Sequence, residues 1–167
     1  MIAKTEDMTV KLNVSAFEAF NNDWALVTAG TREHYNTMTI SWGGLGTLWG
    51  KPVATVYVKP VRYTHEFLES NDYFTVSFYP EAYKKALGLL GTKSGRDGDK
   101  VAEAGLTPVF LDGAVTFKQA KVTLVCKKIY RQDMDTAAMP PEVVDSFYTQ
   151  EAPHTMYIAQ VLQIIGG

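Results

Sequence analysis

The sequence has little cysteine, no long apolar run and no long run of one charge, and each absence excludes a class of protein. Cys126 is the only cysteine among 167 residues, so no intrachain disulfide can form, which fits a reducing cytoplasm. No apolar stretch approaches the roughly 18 residues of a membrane span. The first residues carry Glu6 and Asp7 and lack an apolar core, so no signal peptide is expected. These features predict a cytoplasmic protein without a membrane partner.

The net charge is small, and residues that bind metals are few. The 16 Lys and Arg residues and the 18 Asp and Glu residues give a formal net charge of −2. Nucleic-acid binding needs a basic face, so no nucleic-acid partner is expected. Three histidines and one cysteine, without an HxxxH pair, supply no zinc ligand set, and no metal site is predicted. A GxSxG elbow is also absent, so nothing indicates a hydrolase.

The pattern that is present is typical of a mainly β protein. Runs rich in Val, Thr, Ile and aromatic residues, several with period two, indicate strands. The predicted strands are Trp24–Thr31, Thr37–Trp42, Val53–Val58, Tyr73–Phe78, Val115–Phe117, Lys121–Tyr130 and Thr155–Ile164. They do not alternate regularly with helices, as a doubly wound parallel sheet requires. The sequence therefore predicts one domain over residues 1–167, an antiparallel barrel with helices packed outside it.

Four helical segments are predicted around these strands. They run from about Arg62 to Ser70–Asn71, over Glu81–Leu90, from after Asp97 to Ala104, and after Pro140–Pro141. Asp97 is the expected N-cap of the third helix and Gly105 its C-terminal stop. The polar segment Arg131–Thr136 is predicted to be a surface loop.

The predicted strand at Thr37–Trp42 carries a row of hydroxyls. Residues two apart in a strand share a face, so Thr37, Thr39 and Ser41 line up while the intervening residues and Trp42 face the core. Such hydroxyls can bind the edge of a heterocycle or a phosphate. The alternative is an ordinary solvated strand face.

A glycine-rich segment, Gly43–Gly46, follows that strand. No helix comes next, so it is not a dinucleotide fingerprint, and a bulged or kinked connection between two strands is predicted instead. Trp49, shortly after it, either lies against a flat ligand or plugs a barrel end.

Two basic segments are candidates for anion binding. A helix start offers unpaired N–H groups, to which Lys59 and Arg62 add charge, and the Thr64 hydroxyl either caps the helix or binds an oxygen. The alternative is a capped surface helix with two solvated cations. The second segment is Ser94–Lys100, where two glycines allow a nest of amides beside Arg96 and Lys100.

His154 stands at the start of the last predicted strand. An imidazole at the mouth of a strand can serve as a proton donor or simply as a capping group. The residues alone leave both roles open.

Together these segments resemble the flavin reductase-like, FMN-binding split-barrel family, which includes the flavoredoxins. The matching motifs, in the family's order, are N-T-M-T-I-S-W at Asn36–Trp42, W-G-K-P at Trp49–Pro52, Y-V-K-P-V-R-Y-T at Tyr57–Thr64, F-T-V-S-F at Phe74–Phe78, S-G-R-D-G-D-K at Ser94–Lys100 and P-H-T-M-Y-I at Pro153–Ile158. The resemblance implies a six-stranded antiparallel Greek-key split barrel with peripheral helices. It also implies a homodimer with one FMN in each cleft near the dimer interface.

The resemblance further implies which residues hold the cofactor. By position, the residues expected to contact the isoalloxazine ring and the ribityl chain are Asn36, Thr37, Met38, Thr39, Ser41 and Trp42. The residues expected to contact the phosphate are Lys59, Arg62, Tyr63 and Thr64. The residues near the tail or the ring are Ser94, Arg96 and Lys100. His154 matches the family's histidine close to the reactive face of the flavin.

An NAD(P)H:flavin oxidoreductase is the function that these expectations favour. A reduced nicotinamide would pass hydride to the flavin, and Lys59 or Lys100 would stabilise the anionic reduced ring. No separate nucleotide-binding domain is visible, so the nicotinamide must bind in the same cleft. The alternatives are a flavoredoxin-type electron carrier reduced by a protein partner, a non-catalytic flavin binder, and a split barrel that binds haem.

Overall fold

A seven-stranded antiparallel sheet forms the centre of the protein in the computed structural model, which describes residues 12–166. In spatial order its strands are β2 (Tyr35–Ile40), β1 (Ala25–Gly30), β5 (Tyr73–Phe78), β8 (Val122–Asp133), β9 (Thr155–Gly166), β4 (Lys51–Val58) and β3 (Gly43–Leu48). Two further strands, β6 (Pro108–Leu111) and β7 (Ala114–Phe117), form a separate hairpin. The prediction of a mainly β, antiparallel fold is confirmed. Glu6 and Asp7, on which the expectation about a signal peptide rests, lie outside the described residues.

Short helices lie around the sheet in the described part of the chain. They are α1 (Ala16–Asn21), α2 (Tyr63–Ser70), α3 (Lys84–Thr92), α4 (Lys100–Glu103) and α5 (Pro141–Phe147). Helix α2 contacts β1 and β2, and α3 contacts β2. Within residues 12–166, no helix has the length and apolar character needed to cross a bilayer.

The connection between β2 and β3 shows that the sheet is rolled up. These strands lie at opposite ends of the strand order, yet only Ser41 and Trp42 join them. Three peptide units span at most about 10 Å, so the two edges of the sheet must lie close together. No ladder pairs β2 with β3 in the described residues. The result is a barrel that is split at Ser41–Trp42, as expected.

Two apolar clusters hold this barrel together. Val27 of β1 belongs to the larger cluster inside the sheet, whereas Leu26, the residue before it, belongs to a second cluster with Leu87 and Leu90 of α3. Successive strand residues point to opposite faces, so β1 is buried on both sides. Helix α3 therefore covers the outer face of the barrel beside β2.

The glycine-rich segment is the main difference from the predicted secondary structure. The segment predicted as a bulged connection is part of β3, which pairs in register with β4 from Gly43↔Val56 to Leu48↔Lys51. The turn lies instead at Trp49–Gly50, where both residues have positive φ, as a two-residue hairpin turn requires. Strand β3 also raises the strand count from the expected six to seven.

Smaller differences occur at the ends of elements. The predicted loop Arg131–Thr136 begins as strand, because β8 continues to Asp133 in partnership with β9. Asp99, and not Asp97, caps α4 by accepting a hydrogen bond from the N–H of Ala102. Helix α1 was not predicted, since its six residues are too few for a clear helical period.

Candidate functional site

A polar cavity of about 160 Å³ lies between the start of α2 and the segment that follows α3. Its lining residues are Asn36, Met38, Val61, Arg62, Tyr63, Thr64, Thr92, Lys93, Ser94, Gly95, Arg96 and Lys100. The fold therefore joins the two basic segments that the sequence presented separately. We call this space the anion cavity, because four basic residues and several hydroxyls line it and none of the described lining residues is acidic.

Arg62 contributes charge to this cavity from the N-cap position of α2. Its Nη2 donates a hydrogen bond to the carbonyl of Gly91 at 2.8 Å, which fixes the guanidinium beside the end of α3. A guanidinium carries five N–H donors, and no carboxylate among the described residues pairs with Arg62. Most of its donors therefore remain available to an anion.

Lys100 supplies a second charge that no carboxylate neutralises. It is 4% exposed, and its Nζ donates to the carbonyls of Leu90 at 3.0 Å and Lys93 at 2.9 Å. Burial first, and the positive charge of Arg62 second, lower the pKa of Lys100 to about 8. An ammonium has three donors, so one N–H of Lys100 is left for a ligand.

The other two basic residues at the cavity already have acidic partners. Arg96 pairs with Glu66, donates to the carbonyl of Val61 at 3.2 Å and lies 4.7 Å from the centroid of the Tyr63 ring. Lys93 pairs with Glu103. The charge left uncompensated at the cavity is therefore that of Arg62 and Lys100.

The wall opposite these cations depends on a glycine. A Cβ on Gly95 would lie 2.1 Å from Oδ1 of Asn36, so only glycine lets the loop approach β2 this closely. The buried Asn36 donates through Nδ2 to Oγ1 of Thr64 at 2.8 Å. Ser94 Oγ accepts from the N–H of Arg96 at 3.2 Å. These bonds brace the cavity and leave the Ser94 hydroxyl proton free to donate.

A second cavity, of about 180 Å³, lies at the split of the barrel and is here called the ring cavity. Its lining residues are Met38, Thr39, Ile40, Ser41, Trp42, Tyr57 and His154. Met38 lines both cavities, so the two lie next to each other along β2. One of the two neighbouring cavities is cationic and the other is aromatic.

The predicted row of hydroxyls is only partly available at this site. Thr37 is fully buried, and its Oγ1 is bonded to Oγ1 of Thr28 at 2.8 Å and to the carbonyl of Val27 at 3.2 Å. Thr39 donates to the carbonyl of Leu87 at 2.5 Å. Trp42, expected in the core, is 44% exposed. Of the three hydroxyls, that of Ser41 has no hydrogen-bond partner among the described residues.

His154 lines the ring cavity and is nine-tenths buried. Its Nδ1 is 2.7 Å from the hydroxyl of Tyr148, and its ring centroid is 5.4 Å from that of Trp42. Burial first, and then the positive charge of Lys59, lower the pKa of His154 to about 4. At neutral pH the imidazole is therefore neutral. The bond to Tyr148 is compatible with either tautomer of the neutral ring, and in the one that accepts at Nδ1 the ring proton is on Nε2.

Two predicted cofactor residues lie away from these cavities. Lys59, expected at the phosphate, donates to Glu151 and to the carbonyl of Phe147, both at 3.0 Å, and so it faces the loop that carries His154. Trp49 is 65% exposed at the tip of the β3–β4 hairpin. Neither residue lines the anion cavity or the ring cavity.

Several residues of the site were not predicted from the sequence. Tyr57 lines the ring cavity, Tyr148 bonds His154, and Phe147 contacts Trp42 edge to face at 5.2 Å. Tyr57 stands within a quoted motif and could have been found as the outward neighbour of a core position in β4. Tyr148 and Phe147 had no sequence signal, because α5 and the following loop reach the site only in the folded chain.

The donors in the two cavities fit FMN. A phosphate needs cations and hydroxyl or amide donors without competing carboxylates, which describes the anion cavity. A flat ring needs apolar and aromatic walls with few polar groups, which describes the ring cavity. A haem would need His154 as the axial ligand of its iron, because His154 is the only imidazole among the described lining residues.

Solved structures with the same fold come from several organisms. A flavoredoxin from Methanosarcina acetivorans is 17% identical, with a TM-score of 0.69 over 97% of this chain and 76% of that one. An FMN-binding protein from Thermus thermophilus with bound 1-cyclohex-2-enone is 20% identical, with a TM-score of 0.68 over 90% and 73%. The NADH:FAD oxidoreductase SgcE6 of Streptomyces globisporus is 18% identical, with a TM-score of 0.67 over 87% and 75%.

Among curated proteins no match is found. The model of the flavin reductase like domain matches residues 17–166, nearly the whole chain. The split barrel, its neighbouring cationic and aromatic cavities and this match lead to one conclusion: the chain belongs to the flavin reductase-like family of FMN-binding and flavoredoxin-like proteins.

Proposed function

We propose that this protein is an FMN-binding oxidoreductase that transfers hydride from NAD(P)H to flavin. The observation that carries the proposal is the pair of uncompensated cations, Arg62 and Lys100, in a cavity that lies next to an aromatic one. Two like charges held together in a partly buried place are unfavourable unless an anion lies between them. A flavin with a phosphate tail fits both cavities at once.

The proposed role of each residue follows from the cavity that it lines. Arg62, Ser94 and Lys100 donate to the phosphate, and Asn36 and Thr64 keep α2 and β2 in register around it. The flat ring lies along the ring cavity, from Met38 to Trp42. When bound, FMN supplies the redox chemistry by accepting hydride from a reduced nicotinamide. The chain's own task is to bind and orient both partners and to exclude water.

His154 is the proposed catalytic residue. In the tautomer that accepts from Tyr148 at Nδ1, the Nε2 proton is free to donate to an oxygen of a ligand in the ring cavity. A neutral imidazole makes that bond without adding a buried charge to the site. Tyr148 is a positioning residue in this scheme, because it donates to Nδ1 of His154.

The binding of FMN tests the assignment of the phosphate. Replacement of Arg62 by Ala should weaken FMN binding by about tenfold to a hundredfold, since one charge-assisted hydrogen bond contributes about 1.5–3 kcal/mol. Riboflavin, which lacks the phosphate, should lose little affinity. Arg32→Ala is the matched control, because Arg32 stacks on Phe110 and lines neither cavity. Equal FMN affinity of Arg62→Ala and wild type would reject the assignment.

An electron carrier reduced by another protein is the second candidate. The flavoredoxins of Methanosarcina acetivorans and Desulfovibrio vulgaris share the fold, and the exposed Trp42 beside the ring cavity suits contact with a protein. Anaerobic addition of NADH and NADPH distinguishes the two. Bleaching of the flavin bands by either nucleotide supports the reductase, and persistence of the bands after both supports the carrier.

A non-catalytic flavin binder would hold FMN and pass no electrons to any acceptor, so the same anaerobic assay followed by oxidants tests it.

We also propose a homodimer, on the family resemblance, and a cytoplasmic location, on the single buried thiol of Cys126. Sedimentation of the flavin-loaded protein and fractionation of the producing cells test these two proposals.

A further inference from the structure

A third cavity, of about 580 Å³, adjoins the ring cavity on the far side of Trp42 and is here called the side cavity. It lies between α1 and the β2–β3 link, and its main walls are Phe17, Phe20, Trp42, Gly43, Gly44 and Tyr57. Ser41, Trp42 and Tyr57 line both the side cavity and the ring cavity. A molecule in the side cavity would therefore lie next to whatever occupies the ring cavity.

Aromatic rings that are fixed in place form the walls of this cavity. Phe20 is buried, contacts Phe78 edge to face at 5.5 Å, and fills the position that a Cβ of Gly43 would occupy. Phe147 and His154 hold Trp42 from the other side. Phe17 forms the lip and is 89% exposed. Cavities that are lined mainly by apolar and aromatic side chains are typical of ligand sites.

The charges of the walls restrict the ligand. Glu18 is the only residue charged at neutral pH among the described residues that line the side cavity. An anionic ligand, such as a phosphate or a pyrophosphate, would therefore meet one negative charge and no positive one. An uncharged molecule avoids this repulsion.

Two hydroxyl groups stand where the side cavity meets the ring cavity, while the other polar lining residues, Glu18, Asn21 and Asn22, belong to the side of α1. Ser41 and Tyr57 line both cavities, and neither hydroxyl has a hydrogen-bond partner among the described residues. Each can donate to a carbonyl oxygen. The ligand is thus flat and apolar, with an oxygen acceptor on the side that faces the ring cavity.

We propose that the side cavity binds an uncharged quinone, which takes electrons from the flavin. The proposal rests on the flavin site proposed above. Reduction of a para-quinone consumes two electrons and two protons, so that both C=O groups become C–OH. The electrons and one proton come from the hydride that NAD(P)H gives to the flavin, and the second proton comes from solvent. The hydroxyls of Ser41 and Tyr57 bind the quinone oxygen nearest to the ring cavity.

Two glycines of β3 provide a matched pair of variants. A Cβ on Gly44 and a Cβ on Gly46 would both meet open space, and the two residues lie on the same face of the strand, but only Gly44 lines the side cavity. Gly44→Leu should therefore fill the cavity, whereas Gly46→Leu should leave it open. Phe17→Ser removes the lip and, because Phe17 is exposed, should not affect folding.

Calorimetric titration of the purified full-length protein with menadione measures binding without any turnover. We expect saturable binding that Gly44→Leu and Phe17→Ser weaken at least tenfold and that Gly46→Leu leaves unchanged. Naphthoquinone sulfonate, a similar ring with a negative charge, should bind at least tenfold more weakly than menadione. Equal binding by Gly44→Leu and wild type, or by the two quinones, would overturn the proposal.

Stopped-flow reoxidation tests electron transfer separately from the nicotinamide. With the flavin photoreduced under anaerobic conditions, the rate should saturate with menadione in wild type and Gly46→Leu but not in Gly44→Leu. If NAD(P)H fails to reduce the flavin while this saturation persists, the proposed reductase activity is wrong and the quinone site stands. If Gly44→Leu instead changes only the sedimentation of the protein, a second copy covers the cavity and the quinone site is wrong.

Discussion

At the scale of single residues, the site depends on two basic side chains whose charges are not matched by carboxylates. Lys100 is buried among carbonyl groups beside Arg62, which is why its pKa falls to about 8. A bound phosphate would favour the charged form and raise that pKa. Ligand binding and protonation of Lys100 are therefore coupled.

This coupling predicts a pH dependence of FMN affinity. Below pH 8 Lys100 is already protonated, and above pH 8 binding must take up a proton, so affinity should fall as the pH rises. Between pH 7 and pH 9 we expect a loss of up to about tenfold, because each pH unit above the pKa of the free protein costs at most a factor of ten. Fluorescence titration with FMN measures it.

Riboflavin and the Lys100→Met variant serve as controls for this prediction. Riboflavin has no phosphate, and the variant has no titrating ammonium group. Neither riboflavin with the wild type nor FMN with Lys100→Met should therefore lose affinity between pH 7 and pH 9. A similar slope for FMN with wild type and with Lys100→Met would show that another group titrates.

His154 allows a second prediction at this scale. Lys59 lowers the pKa of His154 after burial, the larger cause. Lys59→Met removes the positive charge and leaves Glu151 unpaired, and both changes favour the imidazolium. The pKa of His154 should therefore rise from about 4 but stay below its usual 6.5, since burial remains. NMR titration of the imidazole protons measures it.

The control for that experiment is Lys51→Met, at the exposed start of β4, the strand that ends just before Lys59. It should leave the His154 titration unchanged. An unaltered pKa in Lys59→Met would mean that burial alone determines the protonation of His154.

At the scale of elements, β3 is held in place by its contact with α1. The ring of Phe20 packs directly on Gly43, where a Cβ would lie 2.6 Å from Cε1 of Phe20. The absence of a side chain at Gly43 is thus what lets α1 lie flat on β3 and close one wall of the side cavity. Gly43 of this strand allows close packing, whereas Gly44 and Gly46 border open space, and none of the three lies in a turn.

This contact predicts different effects for two glycine substitutions. Gly43→Ala forces Phe20 to move and should lower the free energy of unfolding by about 1–3 kcal/mol, as is usual for overpacking. Gly46→Ala meets open space and should be neutral or stabilise by up to about 1 kcal/mol, since alanine restricts the unfolded chain. Urea denaturation of both variants compares them, and an equal loss would contradict the packing argument.

At the scale of the whole molecule, a polar network ties α2 to the long β8–β9 ribbon. Oε1 of Glu69 accepts from the hydroxyl of Tyr157 at 2.7 Å and from Nε and Nη2 of Arg131 at 3.0 and 2.9 Å. His65, on the same helix, is bonded to Thr155, which donates to Asp133 at 2.7 Å. The network fixes the helix whose first turn forms the anion cavity.

Acid should weaken this network. Burial raises the pKa of Glu69, but hydrogen bonds from Tyr157 and Arg131 outweigh it and leave the pKa lowered. A lowered carboxyl pKa stabilises the folded state above the unfolded-state pKa, and this contribution is lost as the pH falls through the folded-state pKa. Because Glu69 is partly exposed, Glu69→Gln should cost only about 1 kcal/mol at pH 7.

The measurement is urea denaturation at pH 7 and at pH 3. The difference between Glu69→Gln and wild type should shrink at pH 3, because protonation of the wild-type carboxylate removes its contribution as the pH falls through its lowered pKa. Glu142→Gln, at an exposed position of α5, should match wild type at both pH values. A difference that does not change with pH would assign the cost to packing and not to charge.

Much of this architecture could be predicted from residue patterns. Period-two alternation located most strands within a few residues, because each strand buries at least one face. It failed at β3, where glycines replace the alternating side chains and leave no pattern to read. Helix α3 was predicted because Tyr83, Leu87 and Leu90 share a helical face. In the structure these residues belong to the same apolar cluster as Leu26.

The site was less predictable than the fold. Arg62, Ser94, Arg96 and Lys100 stand in two basic segments of the sequence, and their roles toward a cofactor stay predictions. Lys59, predicted at the phosphate, lines neither cavity, because its ammonium group bonds to Glu151, 92 residues away in sequence. Sequence reveals that a lysine is present near a helix start. It does not reveal which carboxylate comes within reach after folding.

The sequence by itself determined the strands, the helix starts and the supply of cations and hydroxyls, since these follow from local propensities and spacing. The tertiary structure alone decided which of them meet. Rolling the sheet brings the edges β2 and β3 together at Ser41–Trp42 and so opens the ring cavity there. Closing the loop around Gly95 against Asn36 joins two distant basic segments into one anion cavity. Those outcomes depend on contacts between residues far apart in the chain, and local patterns carry no record of such contacts.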